Sequence, residues 1–399
     1  MKSVCFLVQS VYEFDPRVRR KAEALVAAGY SVDVLALRGS PGESGAGEKS
    51  YSLNGVHVRT VSLNKRRNRV ALFIFQYLAF FLWAFVRVNW QMRGRRYALI
   101  DVNSLPDFLI FAPALAKRMG AKLVLDMHEV APEYYISIYR ASEDSWAVPV
   151  LRFLEKISFD FADHVITAND AREDLLVERG LPRSKATVIM NAVDEGRFFY
   201  SSPSTGLCSR DPQRFVMLYH GTVHYIYGLD IAIEAFALVH TEMPGAELWI
   251  VGAGEEKERL IELTKKRGLA SKVLMHGQIP PAQVPTWVSQ CDIGILPIRQ
   301  DAFLDLAAPN KLSEYIVMGK SVIVSRLKAI RHYFSEEALA YFEPNNPADL
   351  AKQMARIYRD SGLRARLAAK AKEEYAPICW DVMKQRYLTL IEKLIGPAG

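Results

Sequence analysis

Lys311 and Glu314 stand three residues apart in Pro309-Asn310-Lys311-Leu312-Ser313-Glu314-Tyr315, a stretch that closes at Met318-Gly319-Lys320-Ser321 and runs into the apolar Val322-Ile323-Val324. Proline opens a helix, glycine stops it and a buried strand follows, so an ammonium and a carboxylate fall near a helix N-terminus. Such a terminus gathers unpaired backbone N–H groups at the positive end of the helix dipole, where phosphates bind, and a carboxylate accepts hydrogen bonds from ribose hydroxyls. The chemistry these residues offer is the holding of an anionic, hydroxyl-rich ligand such as a nucleotide diphosphate sugar. An ordinary surface helix carries the same pattern, so the segment alone does not choose.

Other stretches carry chemistry of the same kind. Gly221-Thr222-Val223 follows an apolar run at 215–219, and Tyr227-Gly228-Leu229-Asp230 then opens a helix. Glycines there let backbone N–H groups approach a phosphate, although a strand-to-helix turn needs glycine anyway. Gly252-Ala253-Gly254-Glu255 is not a dinucleotide fingerprint, because Lys257 stands where its third glycine belongs. Asp126-Met127-His128-Glu129 ends another strand. There His128 is placed to polarise or hydrogen-bond a sugar hydroxyl, with Glu129 or Glu133 to orient it, or else to serve structure only. Asp15 reads as an N-cap and Pro16 as the first helical residue, which brings Arg17 toward the ligand and leaves Arg19, Arg20 and Lys21 in solvent or near lipid.

These residues need elements to hold them. The first half alternates apolar runs and helical patterns: strands at 3–9, 31–37, 98–102, 121–126, 164–167 and 186–190, helices near 15–28, 70–90, 106–119, 148–162 and up to 179, and a mobile stretch near 136–146. The second half restarts with strands at 215–219, 247–251, 272–275, 292–296 and 321–324 and helices after 228, 255, 281, 309 and 347. This is an α/β pattern of two tandem doubly wound, Rossmann-like domains, 1–200 and 210–378, joined through Ser201-Ser202-Pro203-Ser204-Thr205-Gly206. Ligands of such sheets bind beyond the carboxyl ends of the strands, in the cleft the two domains enclose. A last helix at about 380–395 either crosses back to brace the first domain or caps the second.

At 399 residues, half of them apolar, the chain can bury two cores. Cys5, Cys208, Cys291 and Cys379 show no metal or redox spacing, which points to free thiols, no metal site and a cytoplasmic setting. The net charge of +7 calls for an acidic partner. Lys65, Arg66, Arg67 and Arg69 precede, and Arg93, Arg95 and Arg96 follow, an apolar run from Val70 to Val86 that includes Trp83 and only one polar residue, Gln76. As a helix the run spans about 25 Å at 1.5 Å per residue, short for a bilayer core. It is a transmembrane span, an internal packing helix, or a helix resting on the sheet with its aromatic side in the inner leaflet and its basic flanks on anionic headgroups. The basic flanks at both ends favour the last and make an anionic membrane surface the expected partner, with no nucleic acid.

Taken in order, Asp15-Pro16-Arg17-Val18-Arg19-Arg20, Asp126-Met127-His128-Glu129, Val188-Ile189-Met190-Asn191-Ala192-Val193-Asp194, Gly221-Thr222 and Pro309-Asn310-Lys311-Leu312-Ser313-Glu314-Tyr315 resemble the GT-B glycosyltransferases of family 4 across nearly the whole chain. The resemblance implies a nucleotide-sugar donor held by the second domain, an acceptor held by the first, retention at the anomeric carbon and no required metal. It gives Glu314 the ribose, His128 the neighbourhood of the transferred sugar, Gly221 the phosphate loop, and Asn191 and Asp194 the hinge. Gly228, Gly277, Asp305 and Asn310 join Gly221, Thr222, Lys311 and Glu314 as the expected donor set, and Arg17, His128 and Glu129 form the acceptor side.

Two departures stand out. The first glutamate of the family's Glu-x7-Glu pair falls at Leu306, beside Asp305, and the Arg and Lys of its phosphate loop fall at Thr222 and Tyr227. Lys311 is the expected replacement for the missing charge, with Arg299 a weaker one. The expected activity is transfer from a nucleotide sugar, uridine-linked as is commonest in the family, to a lipid-linked or membrane-proximal glycan at the inner face of the membrane. The rivals are a nucleotide-sugar epimerase of the same architecture and a degenerate, membrane-associated nucleotide binder.

Overall fold

The computed structural model describes residues 1–38, 48–63, 70–92, 94, 96–200 and 214–398, and it separates into two compact units, Met1–Asn191 with Asp381–Gly399, and Ala192–Trp380. The first unit thus ends before the expected 200, and the serine-rich 201–206 lies outside the described residues.

The first unit is an eight-stranded sheet built on β1 (Ser3–Val11), β2 (Ser31–Leu37), β3 (Glu48–Leu53), β4 (Val56–Val61), β5 (Tyr97–Asn103), β6 (Lys122–Met127), β7 (His164–Thr167) and β8 (Ala186–Val188), in the order β3-β4-β2-β1-β5-β6-β7-β8. Val4, Cys5, Phe6 and Leu7 are wholly buried, as central parallel strands require. Every pairing is parallel except β3 with β4, a hairpin turned by Asn54-Gly55 with φ of 51° and 79°. That hairpin was not among the expected strands, although Asn-Gly is its ordinary turn signal.

Helices α1 (Pro16–Ala27), α2 (Val70–Gln91), α3 (Ala114–Arg118), α4 (Ala131–Tyr139), α5 (Ala147–Phe161) and α6 (Asp170–Glu178) belong to this unit. The stretch expected to be mobile therefore begins inside α4. Asp15 caps α1 by accepting from the N–H groups of Arg17 and Val18, with Pro16 at the first position. On α2, Gln76, Phe80, Ala84 and Val88 recur every fourth residue and are buried, while Phe75, Leu78, Leu82, Val86 and Trp90 lie between 49% and 65% exposed. Trp83 is not on that outer stripe, because its Nε1–H donates to Glu48 Oε1 at 3.0 Å and its ring meets Phe80, so Trp90 is the exposed tryptophan of α2. Among the described residues no helix is long and apolar enough to cross a membrane. Arg96 is exposed, whereas Lys65, Arg66, Arg67, Arg69, Arg93 and Arg95 lie outside the described residues.

The second unit opens with α7 (Glu195–Tyr200) and is a six-stranded parallel sheet of β9 (Phe215–His220), β10 (Ala246–Val251), β11 (Val273–Gly277), β12 (Ile293–Leu296), β13 (Ser321–Ser325) and β14 (Ala340–Phe342), ordered β11-β10-β9-β12-β13-β14. Its further helices are α8 (Leu229–Val239), α9 (Lys257–Lys266), α10 (Val284–Gln290), α11 (Asn310–Val317), α12 (Lys328–Tyr333), α13 (Pro347–Arg359) and α14 (Ser361–Tyr375). The closing helix α15 (Trp380–Ile395) packs from Asp381 onward on the first unit. Its Met383, Tyr387 and Ile391 are wholly buried, Tyr387 donates to Asp101 Oδ2 at 2.9 Å and Arg386 to the Val188 carbonyl at 3.1 Å.

Candidate active site

In the second unit, β9 delivers Tyr219 and His220 to its carboxyl end, and Gly221 follows with φ +121°, its N–H donating to the Val251 carbonyl at 2.8 Å. Gly252 and Gly254 let the loop after β10 lie backbone against backbone on this one. A Cβ on Gly252 would sit 1.7 Å from the Gly221 carbonyl oxygen, and one on Gly254 2.0 Å from that of Val223. Those two glycines, which resembled half of a dinucleotide fingerprint, serve the close approach of two loops.

Helix α11 supplies the charge. Pro309 is its N-cap rather than its first residue, so Asn310 and Lys311 form the opening turn. Lys311 Nζ donates to the Tyr219 hydroxyl at 3.0 Å and lies 3.9 Å from the centroid of the Tyr227 ring and 4.7 Å from that of Tyr219. Tyr219 in turn donates to the Thr222 carbonyl at 2.6 Å. A Cβ on Gly221 would meet Lys311 Cε at 2.2 Å and Nζ at 2.7 Å, so the ammonium rests on the glycine, whose φ of +121° also favours glycine there. Burial lowers the Lys311 pKa to about 8, with Glu314 acting in the opposite direction. Glu314 Oε2 lies 3.3 Å from His220 Nε2. His220 is buried, and burial together with Lys311 pushes its pKa down to about 3, so the imidazole is neutral at physiological pH. Tyr315 donates to the Leu218 carbonyl at 2.7 Å and fastens α11 to β9.

The other expected donor residues divide. Thr222 is exposed beside Gly221. Gly228, with φ +61°, lies where a Cβ would strike the Pro297 carbonyl. Gly277 ends the edge strand β11, two strands away from β9. Arg299 is already engaged: its guanidinium donates to both Asp230 oxygens at 2.8 and 2.6 Å and to the Tyr225 carbonyl at 3.2 Å, and it stacks on the Tyr225 ring. It latches the loop before α8 instead of offering a free charge. Asp305 accepts from Gln300 and from the Lys328 N–H, and Leu306, where the first glutamate of the pair would stand, is buried.

In the first unit His128 lies just past β6, buried, with Nε2 2.9 Å from Asn103 Oδ1 and 3.5 Å from Asp126 Oδ2. Neither expected orienting carboxylate holds it. Glu129 accepts from Arg172 at 2.8 Å, and Glu133 pairs with Arg179. Lys21, expected in solvent or near lipid, is 4% exposed, paired with Asp126 and 3.9 Å from Asp101. Arg20 is buried as well. Sequence reasoning missed both because α1 reads as a run of charges, whereas only every third or fourth of its residues faces outward. Arg17 folds back on its own cap, its Nε 3.1 Å from Asp15 Oδ1. Desolvation, reinforced by Arg17, Lys21, Arg172 and Arg20, pushes the His128 pKa well below its ordinary value. Among the described residues no three His, Cys, Asp or Glu side chains gather as a metal-ligand set.

Comparison with known proteins gives this arrangement a family. Residues 15–192 match the family model for the glycosyl transferase 4-like domain, and residues 209–374 that for glycosyl transferases group 1. The chain is similar to a probable glycosyltransferase, WbjE, of Pseudomonas aeruginosa, 24% identical over 68% of each chain. It is also similar to an uncharacterised glycosyltransferase of Methanocaldococcus jannaschii, 22% identical over 93% of each. Among solved structures, Anabaena HepE in complex with UDP superposes with a TM-score of 0.70 at 15% identity, covering 98% of this chain and 100% of that one. WaaG, a glycosyltransferase involved in lipopolysaccharide biosynthesis, gives 0.68 at 16% over 98% and 100%. Matched through both of its halves, the chain belongs to the GT-B glycosyltransferases of the family 4-like kind.

Proposed function

We propose that the chain moves a sugar from a uridine diphosphate sugar to a lipid-linked or membrane-proximal glycan acceptor, with retention at the anomeric carbon. The observation that carries this reading is the Lys311 ammonium seated on Gly221 between two tyrosine rings, one turn before Glu314. The family's loop lysine falls at Tyr227, and the ring of Tyr227 touches this ammonium, so the charge comes from α11 to the place where the loop lacks it. HepE was solved with UDP and with UDP-glucose, which supports uridine for the donor here.

In the mechanism, Glu314 accepts from the ribose hydroxyls and the Gly221 loop receives the pyrophosphate. As the bond between the anomeric carbon and the phosphate oxygen breaks, charge grows on the leaving pyrophosphate beside Lys311, where a fixed ammonium lowers the barrier most. The acceptor hydroxyl attacks from the same face and its proton passes to the leaving phosphate. Lys311 supplies the positive charge, so turnover requires no divalent cation and survives chelator. The exposed apolar stripe of α2 rests in the inner leaflet, with the basic flanks on anionic headgroups.

Incubating the chain with radiolabelled UDP-, GDP- and ADP-sugars and membrane extract tests the reading. Label moving from the UDP-sugar into lipid or glycan, with the anomeric configuration kept, supports it. A converted free donor sugar supports the epimerase instead, and no product with any donor leaves a degenerate binder.

A further inference from the structure

His128 sits at the end of a chain of buried polar groups that the donor chemistry does not use. The Asn103 amide is fixed from both sides: its Nδ2–H donates to Asp101 Oδ1 at 3.1 Å, and its Oδ1 accepts from Lys21 Nζ at 3.5 Å. With the amide so oriented, the atom 2.9 Å from His128 Nε2 is an acceptor, and the next nearest, Asp126 Oδ2, is an acceptor as well. A neutral imidazole facing two acceptors carries its proton on that nitrogen. Lys21 holds the arrangement together, since it pairs with Asp126, neighbours Asp101 and touches Asn103. Helix α15 closes the far end, where Tyr387 donates to Asp101. The Arg172 guanidinium on α6 donates to the His128 carbonyl and fixes the backbone. No hydrogen bond among the described residues engages Nδ1 of His128.

We propose that Lys21 and Asn103 are positioning residues that lock His128 in the tautomer protonated at Nε2, so that Nδ1 accepts a hydrogen bond from a substrate hydroxyl rather than donating one to a substrate oxygen. This rests on the glycosyl-transfer reading. An acceptor at Nδ1 selects for a hydroxyl at the contacted position of the sugar, because an analogue lacking it leaves the nitrogen buried and unpaired. The groups that act on His128 are Arg17, Arg20 and Lys21 from α1, Asn103 from β5, Asp126 from β6 and Arg172 from α6. Burial first, and then the cations among them, disfavours the imidazolium form, in which Nδ1 would be a donor.

The full chain labelled with nitrogen-15 histidine, with His128→Gln to assign the signal, reads the tautomer directly and without substrate. From about pH 6 to about pH 8 the ring should show a protonated Nε2 and a bare Nδ1. Lys21→Met removes a cation that opposes the imidazolium and leaves Asp126 unpaired beside the ring, so the ring should gain its second proton at a higher pH than in the parent. Asn103→Asp keeps the acceptor but adds a negative charge, which favours imidazolium, so the acid limb of kcat/KM should move up by about one pH unit or more. A wild-type ring protonated at Nδ1, or an acid limb unmoved in Asn103→Asp, overturns the proposal. The spectrum of the unaltered chain decides it even if the variants do not fold. Sugar transfer with His128 in the opposite tautomer refutes this device alone, whereas the expected tautomer in a chain that transfers nothing from any donor refutes the glycosyltransferase reading beneath it.

Discussion

In the proposed mechanism Lys311 is the residue on which the chemistry turns, and its surroundings set a pH dependence. Burial lowers its pKa to about 8 from an ordinary 10.5, so the empty site disfavours the ammonium, and this cost applies below about 8 and is relieved as pH rises. A bound pyrophosphate reverses the balance by favouring the charged form, so binding takes up a proton when the site starts neutral. UDP affinity should therefore be greatest below about pH 8 and fall steadily above it. Calorimetry across that range, in buffers of different ionisation enthalpy, should show the fall together with proton uptake at the alkaline end. A flat profile would detach Lys311 from the phosphates. That Lys311 and Gly221 come together, and that His128 ends a strand, was legible in the sequence, because loops and element ends carry polar residues in recognisable company. The places of Tyr219, His220 and Asn103 were not, because each stands at the end of a strand whose apolar run says only that it is buried, and that of Lys21 was not, because its helix reads as a run of charges.

At the scale of elements, most of both sheets could be read from apolar runs, since parallel strands buried on both faces leave continuous hydrophobic stretches. The elements that escaped include the half-exposed β3–β4 hairpin, the three-residue β14 and the helices α4, α7, α12 and α14. Helix α2 was legible as a helix, but its run of apolar residues hid two stripes, one packed on the unit and one exposed. The tryptophan on the outer stripe is Trp90, 63% exposed, and not Trp83. On the membrane reading, replacing Leu82, Val86 and Trp90 by serine removes about 0.8 kcal/mol per methylene withdrawn from lipid, while more than half of each side chain lies outside the packing of the unit. Sedimentation with anionic vesicles should fall several-fold for that variant while its melting temperature stays within a few degrees of the parent's. Equal vesicle binding would assign the outer stripe to something other than lipid.

Over the whole molecule, the family is stated by two matches that meet near the boundary between the units, one on residues 15–192 and one on 209–374. Against the family pattern the chain has Tyr227 in place of a phosphate-loop lysine, and in the proposed mechanism the ammonium comes instead from α11 through a cage that Tyr219 and Tyr227 build. Such a relocation predicts that charge at this spot is needed, while the element that delivers it is not. The decisive measurement is therefore the rate of sugar transfer from the nucleotide sugar by Lys311→Met and by Lys311→Met with Tyr227→Lys. The single variant should lose about 10²-fold in turnover, as for a missing charge-stabilising group, and the double variant should regain a substantial part of it. Undiminished turnover in the single variant, or a double variant no better than it, would contradict the account.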